Sequence, residues 1–592
     1  MFVERLAAAG RPKSSRSLAV PLLATALVTS GVTAVVTAPA QAADSTRRYV
    51  VIARSESDYA GLKDAAQKSG ATVHELNGST TLAVDATPSA AAKIQTSPLA
   101  QAVVPDHVEA LIDPEAGPLT KPTQLSRQGA VHVGKPTSAP QDPASGLAGL
   151  MWNQSRIRSP QANAVTYGSA AVTVAVADTG LDFTHSELAK KVTGVVDFTS
   201  TENPPICKTY AGASDDDWAA LYGGPASTDW NGHGSWIGGN IAGALDGVGI
   251  NGIAPTVNLV ALKISQWCGS AYDSEILAAF QYAAKNHIDV VSISFGGYLD
   301  RTDPAQDAIY KEYVRTVAQA SKAGTLIVAA AGNEHLRVGE GGKVLSHGSL
   351  TVPGGDYTDF YGQYETPGGI PGVMDVSSTG NVVAASSASC PAPAAGDLDV
   401  ACKPSTDAHQ ATGVGAKDQL AYYSNYGPRI DIAAPGGARK FNVPRADRGG
   451  TGGWPYTSED GFTDFEEFSI TSNWSLEIPC FTLDAPTFYP NECYSTIQGT
   501  SMATPHVSAV AALVASARPG LRHKPQAIAN VLEASARDGV TNYTLALSPT
   551  ATSPGELTGL SCPTGYCHLG GPRVSNRDAY GSGIVDALAA VR

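Results

Sequence analysis

Apolar positions follow two different rhythms along this chain of 592 residues. From Arg48 to Leu111 they come in short runs divided by turn residues. "RYVVIA", "ATVHELN", "TTLAVDA" and "AQAVVPDHVEALI" read as strands, the middle two joined by a Gly-Ser turn. "DYAGLKDAAQKSG", closed by Gly70, and "PSAAAKIQTSP" read as helices. Together they predict a small α+β unit. From Met151 the rhythm lengthens. Continuous apolar runs ("AVTVAVADTG", "VNLVALKIS", "DVVSISFGG", "TLIVAAAGN") alternate with helical stretches such as "DSEILAAFQYAAKNH" and "QDAIYKEYVRTVAQASKAG". Strands without polar alternation are buried on both sides, so this part predicts an α/β fold: a mainly parallel sheet with helices on both faces. Residues Ile112 to about Gly146 are rich in Pro, Gly, Ser and Gln and predict a linker open to proteolysis. Glu334–Pro371 and Gly436–Thr496 break the α/β pattern and read as surface insertions.

In an open α/β sheet, chemistry gathers just past the carboxyl ends of the strands. Three apolar runs finish there in polar side chains, at Asp178, Ser294 and Asn333. His233 sits among glycines where a helix of small residues begins. "QGTSMATPHVSAVAALV", from Gln498, opens on glycine and hydroxyls and then runs apolar at helical spacing. Each residue alone has an ordinary reading: Asp before Gly as a turn, His between glycines as a turn, and Ser501 as a helix cap. Pro505 reads as a first-turn proline. An Asp, a His and a Ser, each at the end of an apolar element, also make an oriented nucleophile. The imidazole takes the serine proton, the carboxylate fixes the tautomer, and an amide holds the oxyanion.

The N-terminus and the charge narrow the setting. Arg5, Arg11, Lys13 and Arg16 precede an apolar segment from Leu18 to Val36, and "APAQAAD" follows with a small-x-small signal-peptidase site at Ala40–Ala42. A membrane anchor is the rival reading; Pro21, Gly31 and the threonines favour export. The chain thus divides into a signal peptide (1–42), the α+β unit (43–112), a linker with a maturation site (113–146) and a catalytic part (147–592). The expected location is extracellular, with no membrane attachment after signal cleavage. A net charge of −14 argues against nucleic acid as a partner. Eight cysteines in an exported chain favour disulfides over zinc. Cys390/Cys402, Cys480/Cys493 and Cys562/Cys567 are close couples that leave Cys207 and Cys268, but eight cysteines allow 105 connectivities.

The motifs resemble those of the subtilisin-like serine peptidases, the subtilases. "VAVADTGLDFTHSEL" resembles the aspartate motif, "NGHGSWIGGNIAG" the histidine motif and "GTSMATPHVSA" the serine motif. "VAAAGN" resembles the segment of the oxyanion asparagine, and "SISFGG" the strand that pairs with substrate backbone. "GIAP", "YSNYGPRIDIAAPG" and "GSGIVDALAAV" are minor marks. The resemblance covers Met151 to the C-terminus and implies the chemistry. Asp178, His233 and Ser501 would be the triad and Asn333 the oxyanion donor. Ser294, Phe295, Gly296, Ala331 and Gly332 would contact substrate. It implies a secreted, monomeric serine endopeptidase acting on protein or peptide substrates, needing no cofactor for chemistry. The α+β unit similarly resembles the inhibitory propeptide that precedes many subtilases, and would inhibit its own catalytic part. Two alternatives stand: a processing peptidase of narrow specificity, and an inactive subtilase-fold binding module. A metallopeptidase is disfavoured, since no H-E-x-x-H is present. The chain departs from the family pattern at Ser235, where threonine is usual, and at Trp236, where histidine is commoner. Glu187 stands where many relatives place a calcium-binding aspartate, which leaves structural calcium open; Asp215–Asp217 reads equally as a solvated charge run.

Overall fold

The computed structural model describes residues 45–76, 79–111, 147, 151–199, 229–346, 359–381, 417–421, 423–438, 470–473, 475, 494–539 and 574–592, all within the unit Ser45–Arg592. The signal segment, the linker, Asp215–Asp217 and every cysteine except Cys268 lie outside these residues. Cys268 is disulfide-bonded.

The first described unit contains β1 (Arg47–Ala53), α1 (Tyr59–Lys68), β2 (Thr72–His74), β3 (Thr81–Ala86), α2 (Pro88–Gln95) and β4 (Ala100–Pro105). Its strands form an antiparallel sheet in the order β2-β3-β1-β4. Alternate residues along β1 serve two cores, as the two-residue period of a strand requires. Tyr49 and Val51 pack with Leu62, Leu82 and Ile94 inside the unit. Val50 and Ile52 join a cluster that belongs to the larger sheet. The run expected to form one last strand instead breaks after Pro105. β4 stays in the small sheet, and β5 (Val108–Leu111) leaves it to pair elsewhere. Asp106 marks the bend: its N–H bonds to Arg48, while its carboxylate turns to Ser274 in the larger part.

The larger part is built on β6 (Thr173–Asp178), β7 (Val192–Asp197), α3 (His233–Ala242), β8 (Asn258–Lys263), β9 (Ser270–Tyr272), α4 (Asp273–Lys285), β10 (Val290–Ile293), β11 (Phe295–Leu299), α5 (Pro304–Ala323) and β12 (Leu326–Ala330). β13 (Tyr364–Thr366), β14 (Met374–Asn381), β15 (Lys417–Leu420), β16 (Ile432–Pro435), β17 (Ile470–Asn473), β18 (Tyr494–Ile497) and α6 (Thr500–Ala517) follow. The main sheet has eight strands in the order β15-β14-β12-β10-β6-β8-β7, with β16 beside β14. Among these pairs only β14–β15 is antiparallel. One face, including Val174, Val176 and Val328, packs on α3 and α6. The other, including Ala175, Ala177 and Ile327, packs on α4 and α5. This is the mainly parallel α/β sheet with helices on both faces that the apolar runs predict, and it agrees with the subtilisin-like fold that the motif resemblance implies.

Two expectations are corrected. Much of Glu334–Pro371 is not surface insertion: Leu336, Val338, Val344, Thr366 and Ile370 are buried, and β13 pairs with β11. A three-residue strand flanked by glycines and proline is too short to leave a period. Similarly, β17 and β18 form an antiparallel pair at the second polar stretch, and it closes over α3: Trp236 Nε1 donates to the Ser495 carbonyl and Ser472 Oγ to the Trp236 carbonyl.

Candidate active site

β6 ends at Asp178, buried at the carboxyl edge of the sheet between β8 and β10. α3 opens with His233, whose Nδ1 lies 2.9 and 3.0 Å from the two Asp178 oxygens. A carboxylate accepts only, so this bond keeps the proton on Nδ1 and leaves Nε2 with its lone pair. The helix is brought this close by glycine: a Cβ at Gly234 would lie 2.1 Å from the Gly180 carbonyl oxygen.

The start of α3 is held by Asp229, a residue the motif reading passed over. Its Oδ1 accepts from Thr179 Oγ1 (2.8 Å) and the Gly232 N–H (2.9 Å), and its Oδ2 from the N–H (2.8 Å) and Oγ (2.7 Å) of Ser235. It therefore satisfies first-turn donors of α3 and ties them to the loop after Asp178. The signal was present as an acidic residue just ahead of a helix start. Ser235 completes the tie by accepting from the Asp182 N–H at 2.8 Å. Thus the departure from threonine to serine keeps a working hydroxyl.

Ser501 is the second residue of α6, which follows Gly499 at φ 154°. Neither Thr500 nor Ser501 acts as a side-chain cap. Thr500 donates instead, through N–H and Oγ1, to Asn333 Oδ1, both at 3.0 Å. Pro505 lies in the second turn, not the first. Its missing N–H would otherwise bond to the carbonyl of Ser501, and Ser294 Oγ donates to that oxygen at 3.2 Å in its place. The crowding of hydroxyls and proline thus ties Ser501 to the end of β10. α3 and α6 pack on each other, so His233 and Ser501 occupy the first turns of neighbouring helices.

Asn333 follows β12 through Gly332 at φ 97°. Its amide has a single acceptor oxygen and Thr500 occupies it. This fixes the flip and directs Nδ2 away, where it has no hydrogen-bond partner among the described residues. The turn is braced by Asn425, another residue without an assigned role in the sequence reading: its Nδ2 donates to the Ala331 carbonyl (2.6 Å) and its N–H to the Gly332 carbonyl (3.0 Å). Ala331 and Gly332 therefore shape the turn that delivers Asn333. Phe295 and Gly296 lie on β11, where they pair with Leu111 and Ala110 of β5. The other edge of β5 pairs with β9, so β5 is a middle strand between two segments of the larger part.

Glu187 Oε1 accepts from the Ile250 N–H (2.9 Å) and Tyr494 Oη (3.1 Å).

Comparison with known proteins agrees with this architecture. The chain is 25% identical over 371 residues to M-protease of Shouchella clausii, an alignment covering 62% of this chain and 60% of that protein. It is 25% identical over 371 residues to Subtilisin Savinase of Lederbergia lenta, covering 62% and 85% respectively. Among solved structures it is similar to fervidolysin of Fervidobacterium pennivorans, a keratinolytic enzyme related to subtilisin (19% identity, TM-score 0.52, 93% of this chain and 61% of that one). It is also similar to the epidermin leader peptide processing serine protease of Staphylococcus aureus (16% identity, TM-score 0.54, 92% and 98%). Residues 169–558 match the model of the subtilase family, and the chain belongs to that family of subtilisin-like serine peptidases.

Proposed function

We propose that this chain is a secreted serine endopeptidase, made as a preproenzyme, that cleaves peptide bonds through an acyl-enzyme on Ser501. The observation that carries the reading is the Asp178–His233 bond at 2.9 Å, joined to a serine at the start of the adjacent helix. His233 Nε2 would take the Ser501 proton as Oγ attacks the scissile carbonyl. The imidazolium so formed is stabilised by Asp178 and then protonates the leaving amine. Water repeats the sequence to release the acid product. The oxyanion would be held by Asn333 Nδ2, whose orientation Thr500 sets. Substrate backbone would pair with the Ser294–Gly296 edge, with Ala331 and Gly332 forming the opposite turn.

The unit 43–112 would be the inhibitory propeptide. β5 supports this, since it takes the middle-strand position along Phe295 and Gly296 that a substrate strand would need. The linker that follows would carry the maturation cut, and the N-terminal segment would direct export. In a Ser501→Ala variant the expected product is an uncut precursor that begins near Ala43 and does not hydrolyse unfolded casein. A phosphonate reagent should label Ser501 in the wild type and miss it in His233→Ala. Normal maturation and proteolysis in Ser501→Ala would remove Ser501 from the mechanism.

A further inference from the structure

The junction between β5 and α4 buries more negative charge than its hydrogen bonds account for. His107 and Glu109 come from the β5 segment, and Asp273 opens α4. Glu109 and Asp273 are fully buried, while the His107 side chain keeps 37% of its exposure. Each carboxylate has one oxygen held from behind: Thr366 Oγ1 donates to Glu109 Oε1 at 2.9 Å, and Tyr313 Oη to Asp273 Oδ1 at 2.6 Å. Glu109 Oε2, Asp273 Oδ2 and His107 Nδ1 have no hydrogen-bond partner among the described residues. Nδ1 lies 3.7 Å from Glu109 Oε1 and 3.9 Å from Asp273 Oδ2. The three groups can present one atom each within 4.8 Å of one another. Room is made by Gly297, where a Cβ would sit 2.0 Å from Glu109 Oε2.

We infer that His107, Glu109 and Asp273 bind a zinc-type divalent transition metal. Two buried carboxylates faced only by one imidazole at 3.7 and 3.9 Å are costly, and an ion among them relieves that cost. An imidazole with two carboxylates suits zinc and its neighbours, whereas calcium and magnesium take oxygen ligands. Tetrahedral zinc bonds of ~2.0–2.2 Å place ligand atoms ~3.3–3.6 Å apart, so binding draws the His107 contacts of 3.7 and 3.9 Å in by a few tenths of an ångström and the whole set, now within 4.8 Å, in by as much as ~1.4 Å. Thr366 and Tyr313 supply the outer hydrogen bonds that orient metal-binding carboxylates. Binding displaces a proton from His107.

Two ligands lie in the 43–112 unit and the third in the catalytic part, so the site exists only while the two are docked. If that unit is the propeptide, metal tightens the inhibited state and release of the propeptide destroys the site; this consequence rests on the proposed function, while the metal site itself does not. The test uses the full-length Ser501→Ala precursor, stripped with chelator, dialysed against zinc and analysed for metal. One zinc per chain is expected, and cobalt in its place should give the intense visible bands of a low-coordinate site. His107→Ala and Glu109→Gln should each weaken zinc binding ~10-fold or more, with circular dichroism unchanged. In the cut wild-type complex, chelator should speed dissociation of the 43–112 fragment. Absence of stoichiometric zinc, or zinc binding indifferent to both substitutions, would overturn the site and leave a protonated His107 as the compensating charge. Zinc bound normally, with no effect of chelator on dissociation, would preserve the site and remove its regulatory consequence.

Discussion

At the scale of single residues, the candidate site depends on side chains whose second hydrogen bond sets the direction of the first. Asn333 is the clearest case, because Thr500 consumes its only acceptor and the amide N–H₂ has one direction left. Asn333→Ala should therefore lower kcat by ~10²–10³ with little change in KM, the usual effect of deleting one oxyanion donor. Thr500→Val keeps the donor and loses one orienting bond, so a loss of about fivefold is expected, equivalent to a bond of ~1 kcal/mol. If steady-state kinetics show KM rising alone in Asn333→Ala, the residue binds substrate and does not stabilise the oxyanion. The aspartate, histidine, serine and asparagine were legible because each stands at one end of an apolar element in a distinctive motif. Asp229 and Asn425 were not, because their work is hydrogen bonding to backbone across loops, and such partners leave no local pattern.

At the scale of elements, the strand that left its sheet has the largest consequence. The apolar run to Ile112 gave no reason to divide it, since β5 finds its partners more than 150 residues away in β9 and β11. The same interface centres on Arg48 of β1. Its guanidinium reaches Asp106 at 3.2 Å and Glu275 of α4 at 3.4 Å, and it stacks over the Tyr272 ring at 4.5 Å. Asp106 in turn accepts from the N–H and Oγ of Ser274 in the first turn of α4, so a residue of the small unit caps a helix of the large one. Removing the cation strands two buried carboxylates, a change that costs ~3–5 kcal/mol. The separate 43–112 fragment carrying Arg48→Ala should therefore inhibit the mature enzyme at least ~10²-fold less well than the wild-type fragment. Equal inhibition constants would show that this cluster does not contribute to docking.

At the scale of the whole molecule, stability against pH is set by buried groups far from the triad, and they pull in opposite directions. Burial pushes His335 and His506 down to about 4. An unfolded imidazole titrates near ~6.5, so between these values the unfolded chain holds more protons. Their contribution is fully present above the unfolded value and is lost as pH falls toward 4, up to ~3 kcal/mol for each. Asp375 behaves oppositely. Burial, opposed by Arg429 and assisted by Asp431, pushes its carboxyl up to about 7. Glu365 is raised by burial and by Asp375 itself, and both carboxyls face Gly368, whose Cβ would lie 2.8 and 2.9 Å from their oxygens. Arg429 does not neutralise them by bonding, because its N–H groups go to Asp431 and to the carbonyls of Gly368, Gly369, Ile370 and Val373. The folded state thus keeps a proton that the unfolded chain gives up above ~4, and the stability so gained is lost as pH rises through about 7. None of this was legible in the sequence, where Glu365 falls inside the stretch read as a surface insertion and Asp375 belongs to no motif. Asp375→Asn preserves the shape and removes the ionisation. Its melting temperature should rise relative to wild type at pH 8 and change little near pH 4, while His335→Gln should flatten the fall between pH 6.5 and 4. Parallel melting curves for Asp375→Asn and wild type across pH 5–8 would show that this carboxyl does not govern the alkaline limb.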